Sequence, residues 1–239
     1  DHDSNPIKMG IGKIKARGAK IIGVNPIRTG YNAVADEWVG ITPGTDGLFI
    51  LSLIHELLKA GKIDLHYLAQ YTNAPVLIDA ETGLLMRDKE GKLLVMDRLK
   101  GKPVPFDQSG VEPDLNGILQ RDRKNHHTVF HAMVDRYLST DYAPEAVSDR
   151  VGIPAGRIRA IAAELARVAF EEAFEIDQEW TDFRGEVHSK MTARPVSMHA
   201  MRGISAHSNG FQTCRALHVL QILLGTVEVP GGFRFKPPY

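Results

Sequence analysis

Cysteine is nearly absent: Cys214 is the single thiol in 239 residues. A disulfide takes two thiols and a cubane iron–sulfur cluster about four, so these residues by themselves hold neither. Net charge is absent as well, with 29 Lys and Arg against 29 Asp and Glu. That balance leaves no electrostatic footprint for nucleic acid or for an anionic membrane surface. No apolar run approaches the ~20 residues of a membrane-spanning helix, which argues against direct insertion of a helix. No Gly-x-Gly-x-x-Gly follows a strand-like run, so the phosphate loop of a free-standing dinucleotide-binding module is not written here. What is present is a chain long enough to bury a core without covalent staples.

Residues 18–46, GAKIIGVNPIRTGYNAVADEWVGITPGTD, organise the rest. The apolar run at 19–24, with a lysine only near its start, stops at Asn25-Pro26. This is the pattern of a buried parallel strand whose C-terminal tip opens onto a ligand. Ala35-Asp36 follows, then a second apolar run at 38–41, then a tight Pro43-Gly44-Thr45-Asp46 turn leading straight into an apolar helix. Two strand ends with polar side chains, so close in sequence, predict one nucleotide-sized polar slot.

Val24-Asn25-Pro26-Ile27-Arg28-Thr29, Ala35-Asp36 and Pro43-Gly44-Thr45-Asp46, in that order, resemble the large catalytic subunits of the molybdenum and tungsten bis-pterin oxidoreductases, the dimethyl sulfoxide reductase superfamily. In that family the first tip usually reads Asp-Pro-Arg. Here Asn25 stands for the acid, which keeps a hydrogen-bonding group and changes its donor and acceptor character. The chain starts at Asp1 without methionine and stops at Pro237-Pro238-Tyr239. It is read as a fragment of a larger multidomain subunit, with the family's first strand before Asp1 and Asp1-His2-Asp3 as a frayed loop tail.

Along the chain, Ser4-Asn5-Pro6 starts a helix with Ile7, Ile11 and Ile14 on one face, closed by Gly18 in a left-handed cap and expected to cover a sheet. Residues 48–59 read as a helix with Ile50, Leu53, Ile54, Leu57 and Leu58 on its apolar face and His55 at its surface or boundary. A short helix over 64–71 follows. Strand-like runs at 76–78, 84–86 and 93–96, separated by turns, predict a small β meander, and residues 100–103 and 107–114 read as extended loop. Arg121, Arg123, Lys124, His126 and His127 form the densest basic cluster, read as a solvated loop in preference to an anion's entry route. His126, His127 and His131 lack a cysteine or well-placed carboxylate to complete a metal set. Regular α/β text resumes at Tyr142, with a short helix opened by Ala143-Pro144-Glu145, a turn at 151–154 and an amphipathic helix over 157–168. Residues 171–190 read as a solvated interdomain loop, in preference to acid/base chemistry by Glu175, Asp177 and Glu179. Residues 195–203 read as a third strand ending at Arg202-Gly203, followed by His207-Ser208-Asn209-Gly210 and a helix over 211–224, in which Cys214 reads as a small buried core residue.

The resemblance implies an α/β fold, a three-layer α/β/α arrangement around a mostly parallel, Rossmann-like sheet with a small β-rich insertion. Its expected divisions are 1–74 and 142–203 for the cofactor-binding domain, 75–141 for the insertion and 204–239 for the start of an adjoining domain. It implies a cofactor-binding set of Asn25, Pro26, Ile27, Arg28 and Thr29 at the first tip, Gly44, Thr45 and Asp46 at the second, and Arg202, Gly203 and Ala206 at the third. Asp46 is the best partner for a guanine edge or ribose, and Gly44 permits close backbone approach. Arg202 reads equally as a strand-end surface arginine.

The cofactor so implied is molybdenum held by two molybdopterin guanine dinucleotides, with a 4Fe–4S cluster in the part before Asp1. The implied partners are an iron–sulfur electron-transfer subunit, a membrane-anchor subunit and a small-molecule substrate, in a cytoplasmic location, membrane-associated through the partner subunits, with a periplasmic location left open. The metal ligand is expected before Asp1, so no residue is assigned as catalytic or metal-binding. Met201-Arg202-Gly203, the His-Ser-Asn-Gly segment, Arg215-Ala216 and the Val-Pro-Gly-Gly-Phe-Arg-Phe ending resemble the branch of polysulfide and thiosulfate reductases and sulfite dehydrogenases. That branch implies sulfite oxidation, with polysulfide, thiosulfate or formate as the other substrates. Two further classes stay open: a complex I-type structural subunit without the metal, and a nucleotide-binding module.

Overall fold

The structure, a computed structural model, describes residues 5–28, 30–200 and 202–233. The features read at residues 1–4, Thr29, Met201 and 234–239 lie outside the described residues.

Helix α1 (Asn5–Ala16) ends as predicted. Gly18 takes φ +91°, its N–H bonds the Lys15 carbonyl, and the Ala19 N–H bonds that of Ile14, the paired bonds of a Schellman cap. Contrary to expectation, the described apolar side chains of this helix are poorly covered, with Met9 61% and Ile14 54% exposed and Ile11 half-buried. Its tether is Lys15, which donates to the Val34 carbonyl at 2.8 Å and pairs with Asp36 at 2.9 Å. Strands β1 (Ile22–Val24) and β2 (Glu37–Val39) run parallel, with Gly23 opposite Trp38, joined through a 3₁₀ turn at Gly30–Ala33. Asp36 closes the lower end of the pair by accepting the Ile21 N–H at 2.9 Å. The hydrogen bond from Lys15, then that from the Ile21 amide, hold its carboxyl below the usual carboxylate range.

Helix α2 (Asp46–Lys59) is the centre of the main core. Phe49, Ile50, Leu53, Ile54 and Leu57 are all buried, so the helix is apolar nearly all round, as a core helix must be. It packs against α4 (Val129–Tyr137), α5 (Pro144–Val151), α6 (Ala155–Ala166) and α8 (Gly210–Leu223). Each fully buried aliphatic side chain in this cluster contributes about 1.5–3 kcal/mol. His55 is buried, not at the boundary, because its Nδ1 lies 2.9 Å from the Tyr137 carbonyl and joins α2 to the end of α4. On α8, Cys214 is half-exposed while Thr213 and Ala216 face inward.

After α3 (Leu65–Tyr71) the chain leaves this core and returns through a closed neck. The Phe130 N–H bonds the Ala74 carbonyl, the Val129 N–H bonds that of Val76, and Leu77 pairs with Thr128. The excursion between them has its own apolar clusters, Val76 with Val95, Val104 and Val111, and Leu77 with Met86 and Met96. The expected meander is present, Ile78 opposite Leu85 and Arg87 opposite Leu93. It extends into an antiparallel hairpin of β3 (Leu94–Asp97) and β4 (Lys102–Pro105), where loop was expected at 100–103. The basic cluster is also a hairpin, β5 (Leu119–Arg121) with β6 (Lys124–His126), turned by Asp122 and Arg123 at φ +51° and +62°. His126 is buried there and accepts the Ala80 N–H at 3.1 Å.

A second excursion replaces the predicted solvated loop. After a π-helical turn at Arg167–Glu171, β7 (Phe174–Ile176) pairs with β10 (Met191–Ala193), and β8 (Trp180–Thr181) with β9 (Val187–His188), as one antiparallel arm. Asp182 caps its tip, accepting the Arg184 and Glu186 N–H groups at 2.9 Å each. Arg184 donates to Gln70 at 2.7 Å while its guanidinium lies over the Phe106 and Phe183 rings, which rests the tip on α3 and the first excursion. At the base, Arg194 donates to Asp64 and to the Ala169 carbonyl, both at 2.6 Å.

Residues 194–200 do not form the expected third strand. Pro195 has no N–H, the Arg194 N–H goes to Pro230, and the Val196 N–H turns back to Arg194, so no ladder forms. Arg202 consequently opens a short helix, α7 (Arg202–Ser205), instead of ending a strand. The chain is therefore mixed α and β. Among the described residues β1 with β2 is the one parallel strand pair, beside an isolated parallel bridge of Val227 with Phe233; the other four strand pairs are antiparallel, and a three-layer arrangement is not established.

Candidate functional site

The upper ends of β1 and β2 and the starts of α2 and α8 meet in one place. At the first tip the Asn25 N–H donates to the Val39 carbonyl at 3.1 Å, and the Trp38 indole N–H donates to the Asn25 carbonyl at 2.9 Å. Asn25 Oδ1 accepts the Ile27 N–H at 3.2 Å, an Asx turn that carries the chain around Pro26. Pro26, Ile27 and Arg28 stand exposed on the rim.

The second tip is the turn over 42–45. Both the N–H and the Oγ1 of Thr45 return to the Thr42 carbonyl, at 3.2 and 2.7 Å. Pro43 and Gly44, the latter at φ +80°, occupy the central positions of a type II turn, where a side chain at the second would be strained. The Thr42 N–H is anchored to the Val151 carbonyl at 2.9 Å, at the end of α5.

The start of α8 supplies the third side. Asn209 Nδ2 donates to the Gly44 carbonyl at 3.4 Å, and a Cβ on Gly44 would lie 3.9 Å from the His207 ring. A Cβ on Gly47 would sit 2.9 Å from Thr213 Oγ1, so the first turns of α2 and α8 are in close contact. Near the far end the Asp64 N–H bonds the Leu223 carbonyl at 2.8 Å. The two helices thus run parallel with their N-termini side by side.

Those N-termini are left uncapped by residues able to cap them. Thr45 and Asn209 occupy the two N-cap positions, yet neither side chain accepts from its helix, since both are turned to the 42–44 turn. By contrast α3 is capped by Asp64 and α4 by Thr128. First-turn N–H groups at two positive helix ends are a ready anion site, suited to phosphate. Asp46, the first residue of α2, is half-buried, and its carboxylate makes no hydrogen bond or ion pair among the described residues. The place combines phosphate-binding donors with a free carboxylate acceptor, the chemistry a nucleotide requires.

Asn25, Pro26, Ile27 and Arg28 lie on the first tip, and Gly44, Thr45 and Asp46 on the second, at the same end of the strand pair. Arg202 and Gly203 lie in α7 and Ala206 just after it, all exposed, in a segment tied to the second tip through Asn209. Trp38, His207 and Asn209 are the residues that sequence reasoning missed. Asn209 was detectable as an N-cap candidate before Gly210. Asp182, Glu186 and His188 gather ligand atoms at the arm tip, but Asp182 already serves that turn.

No protein-family model matches the chain. It is 42% identical over its whole length to a sulfite dehydrogenase subunit of Allochromatium vinosum, covering 26% of that protein. It is 28% identical over 91% of its length to the formate dehydrogenase major subunit of Haemophilus influenzae, covering 19% of it. Among solved structures, acetylene hydratase from Pelobacter acetylenicus shares the fold, with a TM-score of 0.50 at 17% identity over 92% of this chain and 19% of that one. The chain spans about a quarter or less of the length of these relatives.

Proposed function

We propose, from the premise that the chain belongs to the molybdopterin oxidoreductase catalytic subunits of the dimethyl sulfoxide reductase superfamily, that it is the part of a sulfite-oxidising subunit that grips one guanosine arm of a bis(molybdopterin guanine dinucleotide) cofactor. The observation that carries this reading is the pair of adjacent helix N-termini whose cap residues face elsewhere.

The residues present fit such a group. The first-turn N–H groups of α2 and α8 would hold phosphate, and Asp46 would accept from the base or ribose. Gly44 lets ligand atoms reach the backbone. Asn25 to Arg28 would form one rim and Arg202, Gly203 and Ala206 the other, with Thr29 kept in the proposed binding set from its place in the sequence. When bound, the molybdenum cofactor supplies the redox chemistry, and this chain binds and orients it. A 4Fe–4S cluster elsewhere in the polypeptide, an iron–sulfur partner and a membrane-anchor subunit, all in or on the cytoplasmic side, complete the proposed electron route. The parallel pair β1–β2 is proposed as part of a larger three-layer sheet, with divisions near 74, 141 and 203.

Sulfite as substrate is supported by the higher identity to the sulfite dehydrogenase than to the formate enzyme. The test uses the full-length subunit with its electron-transfer partners. Molybdenum content, GMP released on acid hydrolysis and sulfite-dependent reduction of an artificial acceptor are measured, and all three are expected. A metal-loaded enzyme inert to sulfite moves the substrate to polysulfide, thiosulfate or formate. A folded subunit without metal or pterin overturns the cradle in favour of a structural role.

A further inference from the structure

We infer that Asn25 is a specificity-determining hydrogen-bond donor, its carboxamide Nδ2 directed at an acceptor on the bound base, the O6 of guanine. This rests on the guanosine-cradle reading and adds to it the sense of one contact.

Asparagine carries one side-chain acceptor and two side-chain donors, besides its backbone N–H and carbonyl. The Asn25 N–H is taken by Val39, its carbonyl by the Trp38 indole, and its Oδ1 by the Ile27 N–H. Because Ile27 offers an N–H, the side-chain atom facing it is the oxygen, which fixes which way round the amide lies. Nδ2 alone has no partner among the described residues, at a half-exposed position on the strand tip. Rotating the amide to offer oxygen outward would set an NH₂ against an N–H and lose the turn.

The Trp38 indole holds that geometry from the neighbouring strand. A Cβ on Gly40 would lie 3.2 Å from the Trp38 ring, so the ring lies close against the β2 backbone while its N–H fixes the Asn25 carbonyl. An aspartate at position 25 would make the same turn with one oxygen and present a second acceptor outward. Asn25 presents a donor instead. Asp46, on the second tip, offers only acceptors, so the two tips are opposite in sense. Guanine, with a carbonyl oxygen beside N1–H and N2–H₂, supplies both complements.

The experiment is calorimetric titration of the full-length subunit, prepared without cofactor, with GMP and with 6-thio-GMP, whose sulfur is a poor acceptor. Wild type is expected to bind GMP about tenfold more tightly than 6-thio-GMP. Asn25→Asp, which keeps an oxygen for Ile27, is expected to bind GMP about tenfold more weakly and to discriminate no longer between the two nucleotides. Circular dichroism and a thermal melt report whether the variant is folded, and the wild-type pair of titrations decides even if the variant misfolds. Equal binding of both nucleotides by wild type, or wild-type affinity in Asn25→Asp, overturns the donor role and leaves the cradle standing. Failure of wild type to bind any guanosine nucleotide overturns both.

Discussion

The turns of the two β excursions and the strand tips of the site are built from the same kinds of residue and use them in opposite ways. In the excursions four turn aspartates are engaged by their own backbone. Asp79 accepts from Glu81 and Thr82, Asp88 from Glu90 and Lys92, Asp97 from Leu99 and Lys100, and Asp182 from Arg184 and Glu186. At the site Asp46 engages nothing described, and Thr45 and Asn209 leave their helices uncapped. Saturated turns hold themselves in shape. Unsaturated ones keep their capacity for something that arrives later.

The largest test of the saturated side is Arg194→Met. It removes two 2.6 Å bonds and leaves Asp64 without its cation, both side chains being mostly buried, 15% and 13% exposed. A loss of about 3–5 kcal/mol is expected in urea unfolding of the full-length subunit. A loss below about 1 kcal/mol breaks the claim that saturation carries stability.

On the unsaturated side, Gly44→Val forces a branched side chain into φ +80° beside His207. Molybdenum per purified subunit is expected to fall at least about tenfold, at a stability cost of about 1–2 kcal/mol. Asp46→Asn sharpens the comparison further. Stability should change by less than about 1 kcal/mol, the scale of a first-turn charge on a helix dipole, while cofactor content falls. The reverse outcome, an unstable variant with full cofactor, makes Asp46 a structural residue.

A smaller effect separates the regions by pH. Burial works to raise the Asp97 carboxyl, but the Leu99 N–H and the Lys100 contacts outweigh it. At Asp182 burial is likewise outweighed by the Glu186 N–H, His188 and the Arg184 N–H, so both carboxyls lie below their usual range. A depressed folded value gives stability that is present above the unfolded value and is lost as pH falls through the folded one. The unfolding midpoint is therefore expected to be flat above about pH 5 and to drop below about pH 4, less steeply in Asp97→Asn. A similarly small effect is that of Trp38→Phe, which keeps an aromatic side chain and deletes the indole N–H with its hydrogen bond, about 1 kcal/mol by the same unfolding assay.

Elements marked by periodicity and punctuation were legible in the sequence: the β1 run halted at Asn25-Pro26, the Pro43-Gly44 turn, the Gly18 cap and the apolar surface of α2. Elements that depend on distant partners were not. Residues 195–200 alternate like a strand, but no neighbouring edge takes them up, so they stay irregular. The arm over 174–193 interleaves β-formers such as Phe174, Ile176, Trp180 and Val187 with five acids, so it reads as solvated loop until its register is supplied by cross-strand pairing. Helix α4 carried a Thr128 cap and Phe130, Met133, Val134 and Tyr137 at helical spacing, a signal hidden by the histidines around it. At the site, the two strand tips could be read from local text. The third side could not, because Asn209 reaches Gly44 only through the packing of α8 on α2.

The closed neck at 74–77 and 128–130 has a consequence for how such a chain can change over generations. An excursion that departs and rejoins at neighbouring residues behaves as a cassette. Doubling its length adds only about 0.6 kcal/mol of closure entropy, provided that Leu115 keeps its place in the main core and Phe106 its place under the arm tip. Lineages can therefore remodel the outer surface here, and with it the company the protein keeps, without disturbing the two strand tips and the starts of α2 and α8.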